Sequence, residues 1–190
     1  MVDPAHGHPP GKIARALTRY TIERGRTGHV EFLQAIELAA GARFRDVGMP
    51  EIAGGDPTPI SILEHRAEEG RLFVALDHGK PIGFLIWSPK DKRAYIEEVS
   101  VHPDHAGHRL AASMIDALAN DVRGRLRFLS LTTFRDVPWN APYYASLGFT
   151  ELPRAQAGAE HELSWHQQAE AGLDMSQRLF MIRPVPQAPS

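Results

Sequence analysis

Two stretches of the 190-residue sequence combine reactive residue types at spacings that chemistry could use. The first runs Tyr95-Ile-Glu-Glu-Val-Ser-Val101, then His102-Pro-Asp-His-Ala-Gly-His-Arg-Leu-Ala111, and continues into an apolar helical repeat. A glycine-containing loop that feeds a helix offers several backbone N–H groups without partners, together with the positive end of the helix dipole. That combination suits an anion such as a pyrophosphate and argues for a phosphate-bearing ligand, although a plain strand-to-helix crossover has the same outline. The second stretch is Asn140-Ala-Pro-Tyr-Tyr144-Ala-Ser-Leu-Gly148-Phe149. A phenol on a short helix there could donate a proton to a leaving group.

Two histidine patterns read differently. His102, His105 and His108 recur at intervals of three across a proline-containing turn and are expected to be polar loop residues rather than metal ligands. His161-Glu-Leu-Ser-Trp-His166 has the look of a zinc-protease motif, but its histidines are five apart where a shared helical face demands four. No metal is expected.

The elements that must position these groups follow from periodicity and breakers. Residues 20–24 read as a short strand. Residues 30–40 read as a helix with Phe32, Leu33, Ile36 and Ala40 on one face, ended by Gly41. Thr58 as N-cap and Pro59 as first helical residue predict a second helix running to Gly70. Residues 71–77 and 81–87 form a hairpin around His78-Gly79-Lys80, and both strands read as largely buried. A strand over 94–101 breaks at Pro103, and Leu110, Met114 and Leu118, with Ile115 and Val122 beside them, mark an amphipathic helix. Further elements are a strand over 126–134, a short helix over 138–147, a helical insert over 155–173 and a last strand over 178–182. The expected organisation is a loose extension over 1–16, one domain over 17–184 and a flexible tail over 185–190.

Composition narrows the class. With 43% hydrophobic and 23% charged residues the chain has the makings of an ordinary globular domain. A formal net charge of -2, with Lys and Arg interspersed among acids, gives no footprint for nucleic acid or an anionic membrane surface. The absence of cysteine excludes disulfides, a thiolate nucleophile and Cys-ligated metal. No apolar run approaches the roughly 20 residues of a membrane span, and the N-terminus lacks a signal-peptide layout, so the expected location is the cytoplasm.

With the two reactive stretches in this order, the chain resembles the GNAT superfamily of acyl-CoA-dependent N-acyltransferases over residues 71–152. The family's strand-to-helix signature is Gln/Arg-x-x-Gly-x-Gly/Ala, followed on a later helix by Asn, Tyr and Gly-Phe. Its six positions fall here on Ala106, Gly107, His108, Arg109, Leu110 and Ala111, so Ala106 stands for the opening Gln/Arg and Arg109 for the central glycine. The resemblance implies a mixed α/β fold of GNAT type, with a central twisted sheet of six to seven strands flanked by helices. It also implies acetyl-CoA as co-substrate, with the pantetheine arm along Val99-Ser100-Val101 and the pyrophosphate on the Ala106–Ala111 loop, where the Arg109 guanidinium can pair with phosphate. Asn140 would support the cofactor, and Tyr144 would protonate the departing CoA thiolate.

By the same resemblance the amine attacks the thioester directly, and a backbone N–H helps hold the developing oxyanion. A free alkylamine has a pKa of roughly 10, so a base or a water relay is required. Glu97 and Glu98 are the candidates. Successive strand residues face opposite ways, so one of them sees the substrate unless a bulge re-aims the other. Glu97 is favoured, on the expectation that it shares a face with Val99 and Val101; the competing role for either is a structural ion pair. Arg135, Asp136 and Trp139, with Phe44 and Arg45, are the expected wall of the acceptor site. Asp136 or Thr133 could instead start the next helix, with Pro138 in its first turn.

The expected activity is N-acetyl transfer to a primary amine of a small molecule, with no nucleic-acid or membrane partner expected and a homodimer allowed. Two alternatives stay open: transfer to protein N-termini or lysines, and a non-catalytic acyl-CoA sensor, motivated by Ala106 and Arg109. Fold alone does not choose among acceptors.

Overall fold

In the computed structural model, residues 19–187 are described. The chain order is β1 (Tyr20–Arg24), α1 (Val30–Gly41), α2 (Pro50–Ala53), α3 (Ile60–Glu68), β2 (Leu72–Asp77), β3 (Lys80–Lys90), β4 (Arg93–Val101), α4 (Leu110–Val122), β5 (Phe128–Phe134), α5 (Ala141–Ser146), β6 (Thr150–Leu152), α6 (Ala159–Glu170) and β7 (Arg178–Pro184). The strands form one mixed sheet in the order β1-β2-β3-β4-β5-β7-β6. Every neighbouring pair is antiparallel except β4 and β5, which run parallel.

Helices cover both faces. On one face α4 buries Leu110, Met114, Ile115, Leu118 and Val122 against Leu85, Trp87, Ile96 and Leu131, as its four-residue spacing predicts, and Tyr144 and Phe149 extend this layer. On the other face α1 and α3 bury Val30, Leu33, Ile36 and Leu63 against Val74, Phe84 and Ile86. Phe32, expected on the core face of α1, is 46% exposed, because the buried stripe is set by residues three and four apart (30, 33, 36 and 37) and position 32 falls off it. The helix expected from Thr58-Pro59 starts at Ile60 with Pro59 flanking it, and Thr58 spends its N–H and hydroxyl on the Glu37 carboxylate at 3.1 and 3.0 Å.

The expected insert contains α6, which is fastened to the sheet by buried polar groups. Asp91 and Lys92 both have positive φ, +47° and +60°, which gives the primed turn that a tight β3–β4 hairpin favours. The Asp91 carboxylate accepts from the His161 backbone N–H at 2.9 Å and lies 2.6 Å from its Nδ1, while Nε2 meets the Ser130 hydroxyl at 2.9 Å. These are the residue types of a hydrolase triad, but His161 and Ser130 are 0% exposed, so the group anchors α6 rather than meeting a substrate. Gly158, at φ +105°, permits the approach, since a Cβ there would sit 2.4 Å from the Asp91 carboxyl carbon. The expected extension over 1–16 lies outside the described residues. Val185, expected to begin the tail, is 3% exposed in the α4-side core and donates its N–H to the Arg127 carbonyl at 2.9 Å, so packed structure continues past β7.

Candidate active site

The parallel strands β4 and β5 pair only over Ala94–Ile96 and Leu129–Leu131, although each continues for several residues. Beyond that point β4 stays with β3 as far as Val101, and β5 stays with β7 as far as Phe134. The inner edges therefore diverge and open a cleft of about 670 Å³ between them. Strand-edge amides that lack a ladder partner must find another one, which makes such an edge a ready acceptor for an extended ligand.

A β-bulge governs what faces this cleft. In the β3–β4 register Ile86 pairs with Glu98 and Trp87 with Ile96, leaving Glu97 as the extra residue. Ile96, Val99 and Val101 pack toward α4, whereas Glu97 and Glu98 both project toward the α1 and α3 side. Glu97 does not share a face with Val99 and Val101, because the bulge reverses the alternation there. Arg66 of α3 grips Glu97 with two hydrogen bonds at 2.7 and 2.9 Å, and the Ser88 hydroxyl donates a third at 2.7 Å. Burial alone would raise the Glu97 carboxyl, but these donors outweigh it and hold it below the ordinary glutamate range.

Glu98 has the opposite environment. Its only hydrogen-bonding side chain among the described residues is Ser100, whose hydroxyl donates at 2.7 Å, and burial pushes the carboxyl up. Across the cleft Glu37 of α1 is pushed up to about 7, first by burial and then by the negative charge of Glu98, against the opposing bonds from Thr58. Burial likewise raises the Tyr144 phenol well above its ordinary value, with Glu98 adding to the effect. A carboxylate that resists ionisation and a phenol that holds its proton thus border the same space.

At the other end of the cleft, a 3-10 turn over Pro103–His105 leads into the Ala106–Ala111 loop and the first turn of α4. Gly107 has φ +81° with open space around its Cα. Arg109, at the position where the resembled signature carries glycine, is left-handed (φ +56°, ψ +23°) and forms the N-cap of α4. Glycine is the natural residue for that conformation, and arginine holds it at a cost of about 1–2 kcal/mol. The N–H groups of the first helical turn, beginning at Leu110, face no preceding helical carbonyl. Tyr143 contacts the Ala112 backbone at this turn, while Asn140 and Leu147 complete the wall. His105 and His108 line the same end, held against Tyr20, with ring centroids at 5.8 and 4.9 Å.

The remaining expected wall residues divide. Phe44 and Trp139 line the cleft, their rings 5.8 Å apart, and Phe134 stands 5.6 Å from Phe44. Arg45, Arg135 and Asp136 do not line it: all three are exposed, and Arg135 forms a two-pronged pair with Glu151 at 3.0 Å. Neither Thr133 nor Asp136 caps α5, which begins at Ala141 after Asn140, with Pro142 rather than Pro138 in its first turn. Residues the sequence pattern did not single out are Glu37, Arg43, Leu173 and Arg178. Glu37 stands four residues after Leu33 on the core-facing stripe of α1, a place where a carboxylate is out of character, and this was its available signal. Arg178 sits one residue before the apolar run of β7, with no pattern that announces the cleft.

Comparison with known proteins agrees with this geometry. Residues 43–149 match the family model described as the acetyltransferase (GNAT) family. Among solved structures, the chain is similar to the ribosomal-protein-S18-alanine N-acetyltransferase of Escherichia coli, at 18% identity and TM-score 0.59, over 90% of this chain and 97% of that one. It is similar to the PaiA N-acetyltransferase of Thermoplasma acidophilum, solved in complex with coenzyme A, at 10% identity and TM-score 0.61, over 88% and 99%. It also resembles N-acetylglutamate synthase of Neisseria gonorrhoeae, complexed with coenzyme A and N-acetyl-glutamate, at 12% identity and TM-score 0.63, over 88% of this chain and 35% of that one. At these identities the solved structures share the fold.

Proposed function

Since the chain belongs to the acetyltransferase (GNAT) family, we propose that it is an acetyl-CoA-dependent N-acetyltransferase whose acceptor is a primary amine on a small molecule. One observation carries the proposal: the splay of β4 from β5 joins an anion-suited helix start at one end of a single cleft to a proton acceptor and a proton donor at the other. Acetyl-CoA fits the donor end by chemistry. A pyrophosphate can take the N–H groups of the first turn of α4 and the Arg109 guanidinium, and an extended amide-bearing arm can pair with the unpaired edge at Val99-Ser100-Val101, with Asn140 beside it. When bound, the co-substrate supplies an activated acetyl thioester.

The residues of this chain supply the rest. Glu98 accepts a proton from the incoming ammonium, directly or through a water, so that a neutral amine attacks. Its raised carboxyl sits closer to the range where such a transfer is balanced than an exposed glutamate would. Backbone N–H groups on the free edge of β4 stabilise the negative charge that develops on the carbonyl oxygen. Tyr144 keeps its phenolic proton at neutral pH and gives it to the leaving thiolate. Glu97, ion-paired with Arg66, positions the bulge that aims Glu98.

The test combines the protein with acetyl-CoA and a panel of amino acids, polyamines, aminoglycosides and peptides while free thiol is followed. Acceptor-dependent thiol release with a small amine is expected. Release with peptides alone would move the acceptor to protein N-termini or lysines, and acetyl-CoA binding without turnover of any amine would leave a sensor.

A further inference from the structure

The cleft is lined by two nitrogen donors that nothing among the described residues satisfies. Arg178 Nε and Trp139 Nε1 are both buried without a hydrogen-bond partner among the described residues, and both side chains line the cleft. The Arg178 guanidinium carbon stands 4.4 Å from the centroid of the Phe134 ring, and the one hydrogen bond of the side chain among the described residues is a long 3.4 Å contact from Nη2 to the Thr132 carbonyl. No carboxylate among the described residues forms a salt bridge with it, although Glu98 and Tyr144 are near enough to be felt. Burial lowers the arginine from its ordinary value, yet a guanidinium remains charged in a protein, so the cleft contains a cation lacking a counter-ion. A second guanidinium, Arg43, stacks over Trp139 at 4.5 Å. Buried donors are ordinarily satisfied, so two left open beside one cleft call for an explanation, and a ligand anion supplies one.

Two carboxylates, Glu37 and Glu98, face the same space. They suit the ammonium of the acceptor, whereas the Arg178 guanidinium and the Trp139 N–H, both donors, suit an anion such as a carboxylate. Phe44, Phe134 and Trp139 line the same cleft and form an aromatic wall.

Building on the acetyl transfer proposed above, we propose that the acceptor is a free α-amino acid with an aromatic or large apolar side chain. Its carboxylate is held by Arg178 and the Trp139 N–H, its ammonium faces Glu98 and Glu37, and its side chain packs on Phe44 and Phe134. The reaction forms the amide bond at the α-nitrogen and breaks the thioester; the ammonium gives its first proton to Glu98 before attack, Tyr144 protonates the departing thiolate, and the second proton shed by the nitrogen after attack returns through water to Tyr144. A polyamine would satisfy the carboxylates and leave the Arg178 charge buried and alone, which is the costlier arrangement.

The experiment compares each amino acid with its own decarboxylated amine: phenylalanine with 2-phenylethylamine, and tryptophan with tryptamine. For the wild-type protein the acid should exceed the amine in kcat/KM by about tenfold or more, the worth of a charged hydrogen-bond pair. In Arg178→Met that ratio should fall toward one, mainly through the KM of the acid; Arg178→Lys should keep part of it, and Trp139→Phe should lower it without touching a charge. A ratio near or below one in the wild type, or one unmoved in folded Arg178→Met and Trp139→Phe, overturns the inference. Acetyl-CoA binding with turnover of other amines but of no amino acid overturns it too while acetyl transfer stands. Failure to bind acetyl-CoA overturns the acetyl transfer on which it rests.

Discussion

Glu97 and Glu98 are adjacent and chemically identical, yet the fold gives them opposite electrostatic settings. Two Arg66 bonds and a Ser88 hydroxyl hold Glu97 ionised, while Glu98 has one hydroxyl and a dry surrounding. Glu98→Gln is therefore expected to lower kcat by about 100-fold and to remove the rise of kcat with pH that deprotonation of the base produces. In Glu97→Gln that rise should persist, and the loss should appear as stability, about 1–3 kcal/mol by chemical denaturation, because Arg66 keeps a weaker partner. A Glu97→Gln profile that loses its acid limb would return the base to Glu97. Tyr144→Phe should lower kcat by about 10- to 100-fold, with the Kd for acetyl-CoA unchanged by calorimetry. The place of Tyr144 in the cleft lining was legible from its spacing to Gly148-Phe149. The choice between the glutamates was not, because strand alternation assigns them to opposite faces and only the pairing with β3 reveals the bulge.

At the scale of elements, the loop into α4 explains a departure that the sequence alone leaves as an oddity. Arg109 occupies a left-handed conformation at the helix start, so the position needs glycine-like backbone freedom even though it carries arginine. Arg109→Val, a β-branched residue, should destabilise the protein by about 1–2 kcal/mol, whereas Arg109→Gly should stabilise it by up to about 1 kcal/mol, the relief of the left-handed backbone being partly offset by glycine's larger unfolded-state entropy; denaturant midpoints distinguish the two. The strong helical repeat of α4, the first hairpin and β5 were readable because periodicity and burial coincide. Seven strands lie within the predicted range, but the three-residue β6 and the four-residue α2 are too short to carry a period. Arg135 and Asp136 looked like acceptor contacts because they follow β5 directly; pairing of Arg135 with Glu151 on β6, invisible before the sheet order is known, turns that arginine outward.

The whole molecule carries a pH signature from its cleft. The Glu37 carboxyl is pushed up to about 7 and that of Glu98 is raised as well, both above their unfolded values. A raised carboxyl favours the fold most when protonated: its contribution is complete below the unfolded value of 4.5 and is lost as pH rises through about 7. The lowered carboxyls of Glu97 and Asp91 act in the reverse sense and weaken the fold as acid protonates them. Replacing Glu37 by Gln should thus raise stability at pH 8 relative to wild type, by about 1–2 kcal/mol after solvent screening, and make little difference at pH 4.5. Equal effects at both values would contradict the environment assigned to Glu37.

The most direct check of acetyl transfer follows the acetyl group itself. Acetyl-CoA labelled in its acetyl carbons is incubated with the protein and an amine acceptor, and the products are resolved by mass spectrometry. The label should appear on the amine nitrogen in step with free CoA, and both should fall together in Glu98→Gln and Tyr144→Phe. Labelled acetate in place of labelled amide, or no release of CoA with any amine, would contradict acetyl transfer in this cleft.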